Sequence, residues 1–316
     1  MKTIKLGDEG FEVIRLQEVL ELPRSGYFSA DVHDAVLKFQ KEHGLVADGI
    51  VGPVTWDALL VGYDADTNTE KEFMEYMLTP GRKDANGVWV PNYWTGPFKK
   101  QWLFIHHTAG WDNPYQTIDI WEKDSKTVAT EFVVGGKSIE GKSKVHDGLI
   151  LKCMPDGAWA AHLTIGNTQI HRESIGIELC NMGGLTKGGY NKVQDGKPVW
   201  ISGQPNTFYT AYGSPVAESE VCDLGWTYRY HRYFHRYSTA QIQACYNIAK
   251  YAERKYGMDI KSGLPKLIAE KGVEKAFEYM PDYIQNVPGI YTHGNIYQGK
   301  NDVLPQKEMI DMLMSL

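Results

Sequence analysis

The sequence predicts an α/β layer fold preceded by a small helical bundle. Three observations carry this. Short apolar runs alternate with helical patterns from about residue 100 onward. The residues before 61 hold apolar positions at helical spacing only. A polar stretch without apolar periodicity, "VGYDADTNTEKE", separates the two regions and reads as a linker. The expected domains are therefore 1–61, a linker over 62–72, and 73–316. A length of 316 residues suits two domains.

In the N-terminal part, Val13, Leu16 and Leu20 recur at helical spacing. Val32, Ala35, Val36 and Phe39 do so in a second segment. Pro23, Ser25 and Gly26 mark the turn between them. A third short helix, Thr55 to Leu60, follows the turn Asp48-Gly49-Ile50-Val51-Gly52-Pro53. Three short helices around a small core fit this pattern. In the larger part, strands are expected at Trp102–Ile105, Phe132–Val134, Leu149–Cys153 and Ile175–Leu179. Helices are expected at Pro114–Lys123, Ser238–Tyr256 and Gln306–Leu316, the second capped by Ser238 and ending near Gly257. Residues 184–230 and 261–288 read as insertions, the first as an excursion over the face that carries the site.

Composition removes several classes of function. A formal charge of −6 is a poor match for a nucleic-acid binder. No run approaches the roughly 18 apolar residues of a membrane helix, so no membrane insertion is expected. Met1 to Phe11 contains no apolar signal-peptide core, so synthesis in the cytoplasm is expected. Cys153, Cys180, Cys222 and Cys245 are far apart and form no CxxC pair, so they read as buried thiols rather than a zinc site.

The strongest local signal is "WLFIHHTAG", an apolar strand running into His106 and His107. Strand ends in α/β sheets are where sites gather. Near the C-terminus, "IYTHGNIYQGKNDVLP" supplies His293, then Lys300 and Asp302 one residue apart. Two imidazoles and a carboxylate make a three-ligand zinc set with a position left for water. That set acidifies the water and polarises a carbonyl.

Two resemblances follow from these motifs. "LGDEGFEVIRLQEVL", "AVLKFQKEHGL" and "ADGIVGPVTWDALL" together resemble the three-helix peptidoglycan-binding module over residues 4–60. Gln17, Gln40 and Trp56 are expected to pack and cap that bundle. "FIHHTA", "WAAHL", "SIGIELCNMGG", "YSTAQIQACYNIAKYAERKYG" and "THGNIYQGKND" occur in the order found in zinc N-acetylmuramoyl-L-alanine amidases that share a fold with the peptidoglycan-recognition proteins. This second resemblance covers most of residues 98–306. It implies a mixed central sheet flanked by helices, with one Zn2+ per chain held by His106, His293 and Asp302. It implies Glu178 as general base, Lys300 beside the oxyanion and His162 in the substrate pocket. The implied reaction is cleavage, by zinc-activated water, of the amide between N-acetylmuramic acid and L-alanine in bacterial peptidoglycan. A monomeric endolysin reaching the wall by phage lysis or other non-classical export fits a chain with a wall-binding module. A binding protein that holds the wall without cutting it, and a peptidase acting within the stem peptide, are the rivals.

The remaining histidines read differently. His107 should face away from His106 if the strand persists. His146 in "KVHDG" is expected to be exposed beside a turn. His231 and His235, at i and i+4, would share a helix face, but the sequence is not HExxH and a metal role is not assigned. Thr130 and Glu131 fall where relatives place a catalytic tyrosine or histidine.

Overall fold

The computed structural model describes residues 3–8, 13, 16–17, 19–20, 22–23, 25–60, 73–84, 86–124, 127–166, 168–194 and 196–316. The chain divides into two compact units, Met1–Glu72 and Phe73–Leu316. The expected linker lies outside the described residues.

In the first unit, helices α1 (Ala30–Glu42) and α2 (Pro53–Leu60) are complete, and Val13, Leu16 and Gln17 are helical. Ile4, Val13, Leu16, Phe28, Val32, Val36, Val51, Trp56 and Leu59 form its core. Two glutamines clamp two turns in the same way. Gln17 Oε1 accepts from Gly26 N at 2.9 Å, and its Nε2 donates to Ser25 Oγ and to the Tyr27 carbonyl. Gln40 Oε1 accepts from Gly49 N at 2.9 Å, and its Nε2 donates to Asp48 Oδ1 and to the Ile50 carbonyl. Both turn glycines have positive φ, 70° and 71°, a conformation that side chains with a Cβ disfavour. This explains why LQ and FQ each stand nine residues before a turn glycine.

The second unit is built on a six-stranded mixed sheet. Its strands, in chain order, begin with β1 (Met74–Glu75), after which the hairpin β2 (Gly81–Lys83) and β3 (Trp89–Pro91) stands apart. The sheet continues with β4 (Trp102–His107), β5 (Phe132–Val134), β6 (Ile150–Lys152) and β7 (Ser174–Leu179). It is completed by a late strand, Gly289–Thr292. The order across it is β1-β6-β5-β7-β4 and then the late strand. All neighbours are parallel except β5 and β6. Every residue of β4 is buried, as expected for a central parallel strand covered on both faces. Helix α3 (Pro114–Lys123) starts on an Asn113 cap, and the single turn α4 (Gln169–Arg172) leads directly into β7. The long helix α5 (Thr239–Tyr256) has a full capping box on Ser238 and Gln241 and ends on left-handed Gly257.

Residues 184–230, expected as an insertion, form with the residues up to His235 a set of strands. These are β8 (Gly184–Lys187), β9 (Gly189–Gln194), β10 (Lys197–Ser202), β11 (Phe208–Tyr209), β12 (Pro215–Val216), β13 (Val221–Tyr228) and β14 (His231–His235). Five of these make an antiparallel sheet, and β9 and β10 pair as a hairpin. Met182, Leu185, Phe208, Val216 and Val221 give it a core with Ile139. The helix expected to carry His231 and His235 is therefore a strand. The tyrosine- and phenylalanine-rich run pairs with β8 and β13, and this outweighs the i, i+4 spacing. Residues 261–288 are likewise structural: α6 (Leu264–Lys271), α7 (Val273–Ala276) and α8 (Pro281–Asn286) put Leu264, Leu267, Ala276, Phe277 and Ile284 into the main core. The late strand is β15, followed by α9 (His293–Ile296) and α10 (Lys307–Ser315).

Candidate metal centre

The parallel strands β7, β4 and β15 end side by side, and their register sets the site. His106 pairs with Glu178, and Ile105 pairs with Thr292. His293, the next residue after β15, thus stands at the position facing His106. One row across three strands carries His293, His106 and Glu178. Residues paired in register project to the same face, so local β-structure alone gathers these three. Asp302 arrives from the loop after α9, whose end is pinned by the Gly294 amide donating to the Asp302 carbonyl at 2.9 Å. Arg229 in the β13–β14 turn holds α9 from the other side, donating to the Gly294 carbonyl at 2.7 Å.

The three donor atoms converge. His106 Nδ1 lies 3.0 Å from His293 Nδ1, and Asp302 Oδ2 lies 3.4 Å and 3.2 Å from these two nitrogens. Among the described residues this is the one group of three or more His, Cys, Asp or Glu side chains arranged to hold a metal ion, and all three are buried. Ligands tetrahedral about an ion at 2.0–2.1 Å stand about 3.3 Å apart, so the spacing fits. The electrostatics also fit. Burial brings the His106 imidazole down to about 4, against the pull of Asp302, so a neutral ring with a free lone pair is present at neutral pH. Burial acts to raise the Asp302 carboxyl, but the His106 and His293 imidazoles packed against it outweigh that and hold the group well below the usual range. Two neutral imidazoles and one carboxylate are the forms that bind cations.

Glu178 is half-buried beside this cluster. Burial and the Asp302 charge push its carboxyl up to about 8, and Lys300 opposes that rise. Lys300 itself is exposed. Its charge also depresses His106 and His107, so it stands within electrostatic reach of the site.

His162 is 9% exposed, with Nδ1 3.0 Å from His106 Nε2 and Nε2 2.8 Å from Ser174 Oγ. Burial holds its imidazole well below the usual value. Sequence reading overlooked Ser174, whose one signal was its place at the start of "SIGIEL". Gly176 makes room for this arrangement: a Cβ there would stand 2.7 Å from Thr130 Cγ2 and 3.2 Å from His162 Nδ1. Glu131 points elsewhere. Its carboxylate has no hydrogen-bond partner among the described residues, and burial raises it to about 7 against the charge of Lys100. Lys100, fully buried, donates to the carbonyls of Ala158, Arg172 and Ser174 and so ties the start of β7 to its neighbours.

His107 faces away from His106, as alternation predicts, and its Nδ1 meets Tyr237 Oη at 2.8 Å. His146 is half-buried, edge-on to Tyr115, rather than exposed. His231 packs over Gly184, and His235 Nδ1 accepts from Met182 N. Neither joins the metal cluster. The four cysteines are free and buried.

Known proteins bear on the two units differently. Residues 12–59 match the family described as a putative peptidoglycan binding domain. The peptidoglycan-binding match lies inside the three-helix region read from the sequence and contains none of the metal-cluster residues. Among solved structures, the chain is similar to the Burkholderia AP3 phage endolysin at 45% identity, over 19% of this chain and 26% of that one, with a TM-score of 0.19. It thus spans about a quarter of that endolysin. It is similar to PlyL at 12% identity over 72% of this chain and 84% of that one, with a TM-score of 0.35. It is also similar to the N-acetylmuramyl-L-alanine amidase AmiD from E. coli, solved with its substrate, at 18% identity over 58% and 55%, with a TM-score of 0.28.

Proposed function

We propose that the second unit is a zinc-dependent amidase that cuts the bond between N-acetylmuramic acid and the L-alanine of the stem peptide. The first unit holds it on bacterial peptidoglycan. The observation that carries the reading is the convergence of His106, His293 and Asp302 in one buried cluster beside Glu178. A zinc ion held there supplies a Lewis acid for the lactyl carbonyl and lowers the pKa of a water to near 7.

The chain's own groups do the rest. Glu178 accepts a proton from the attacking water and returns it to the departing alanine nitrogen. The carbon–nitrogen bond breaks, and one water is consumed. Lys300 presents positive charge where the tetrahedral oxyanion develops, a contribution typically worth on the order of 10²–10³ in turnover. The peptidoglycan-binding domain raises the effective concentration of wall polymer at the site. No described helix is long and apolar enough to cross a membrane. Action at the bacterial wall after phage lysis or another non-classical export suits this pairing of units.

The test is zinc content of the purified protein together with release of free alanine amino groups from purified wall, with and without chelator. One zinc per chain and chelator-sensitive release support the amidase. New reducing sugar ends point to a glycosidase. Zinc without release on several wall chemotypes points to a binding protein.

A further inference from the structure

We propose that His162 is a positioning residue for the metal ligand His106 rather than a substrate contact. One chain of hydrogen bonds leads from His106 into the protein. It ends on the His171 backbone carbonyl, which only accepts. Ser174 Oγ lies 3.1 Å from that carbonyl and therefore donates its single proton to it. The Ser174 oxygen is left as the acceptor for His162 Nε2, at 2.8 Å. His162 then carries its proton on Nε2, and its bare Nδ1 accepts from His106 Nε2 at 3.0 Å. His106 thus has its proton on Nε2 and a free lone pair on Nδ1, the nitrogen that faces His293 and Asp302. A fixed backbone oxygen, three links away, dictates the tautomer of the ligand.

The surroundings of His162 are built to keep it in place. Its backbone amide donates to His171 Nε2 at 2.7 Å. Its ring stands edge-on to His106, with centroids 5.1 Å apart. Gly176 leaves the space its Nδ1 edge occupies. The second ligand differs: His293 Nε2 is buried with no hydrogen-bond partner among the described residues. Control of ligand orientation through a distal nitrogen is therefore concentrated on His106. Partners of this kind orient metal-bound imidazoles and raise their basicity, and losing one typically costs about 10–100-fold in metal affinity.

The inference rests on the metal reading above, and the experiment separates the two. Zinc affinity of the full chain is measured by competition with a fluorescent chelator for wild type, His162→Ala, His162→Gln and Ser174→Ala, with circular dichroism to verify folding. The expected result is about 10–100-fold weaker zinc binding in His162→Ala. His162→Gln should recover part of it, because its amide both accepts and donates. Ser174→Ala should fall between, with KM for a soluble muramyl peptide unchanged. Wild-type zinc affinity in both His162→Ala and Ser174→Ala, or in Ser174→Ala alone if the other fails to fold, overturns the inference. A raised KM with unchanged zinc affinity in His162→Ala does the same and makes the residue a substrate contact. Failure of the wild-type protein to bind zinc overturns the metal reading itself.

Discussion

Replacing Glu178 by glutamine should make the metal-free protein more stable at alkaline pH while removing its activity. Burial and the neighbouring Asp302 charge push the folded-state carboxyl up to about 8, whereas the ordinary value is 4.5. A raised carboxyl favours the folded state while both states are protonated, below about 4.5. That contribution is lost as pH rises toward 8, because the unfolded chain ionises first. Each pH unit in this window is worth at most about 1.4 kcal/mol. From pH 5 to pH 7.5 the upper limit is roughly 3 kcal/mol, and the partial exposure of the side chain reduces it to about 1–2 kcal/mol. Glutamine does not ionise, so the advantage of Glu178→Gln should widen by that amount across the window. For a unit of this size it corresponds to about 2–8 °C in Tm. The assay is calorimetry of both proteins in chelator at pH 5 and pH 7.5. Glu131, raised to about 7 in both, cancels in the comparison. A Tm difference that does not change with pH would refute the assignment of a strained, desolvated carboxyl at this position. Added zinc should narrow the difference, since a nearby cation favours the carboxylate. Amidase turnover of the variant should fall by about 10²–10⁴ with zinc retained.

Other outcomes follow from the same geometry. Asp302→Ala should lose bound zinc and activity together, read by metal analysis and amine release, because it removes the anionic member of the cluster; a variant that keeps zinc would remove Asp302 from the ligand set. Gly176→Ala should cost about 1–3 kcal/mol and weaken zinc binding, since the new methyl meets Thr130 and the His162 ring edge; full zinc affinity would show that the strand relaxes without moving His162. Gln40→Ala should destabilise the first unit by about 2–4 kcal/mol, through four lost hydrogen bonds and an orphaned Gly49 amide. In calorimetry of the full chain its transition alone should shift, with loss of wall retention and little change on soluble muramyl peptides.

Much of this protein was legible in the sequence because the signals are local. The runs Trp102–Ile105, Phe132–Val134 and Ile175–Leu179 became central strands because apolar, β-branched segments of that length have few other ways to bury themselves. Ser238 and Gly257 bounded the long helix through caps that depend only on adjacent residues. Gln17 and Gln40 followed the same logic, each satisfying a turn nine residues on. The donor types were also readable: two strand-end histidines and one carboxylate nominate a metal site before any fold is known, and the structure brings these three side chains together.

Tertiary structure decided what depends on neighbours distant in sequence. The register of β15 on β4 and of β4 on β7 put His293, His106 and Glu178 in one row, and no single segment encodes a register between strands that far apart. The histidines of "RYHRYFHRY" became a strand because β8 and β13 offered hydrogen-bonding edges to that run. The contacts of His162 were not legible either: its motif gives no sign that the ring meets His106 on one edge and Ser174 on the other. Residue type and spacing can nominate a ligand, but only the packed fold decides which partner each ring nitrogen faces.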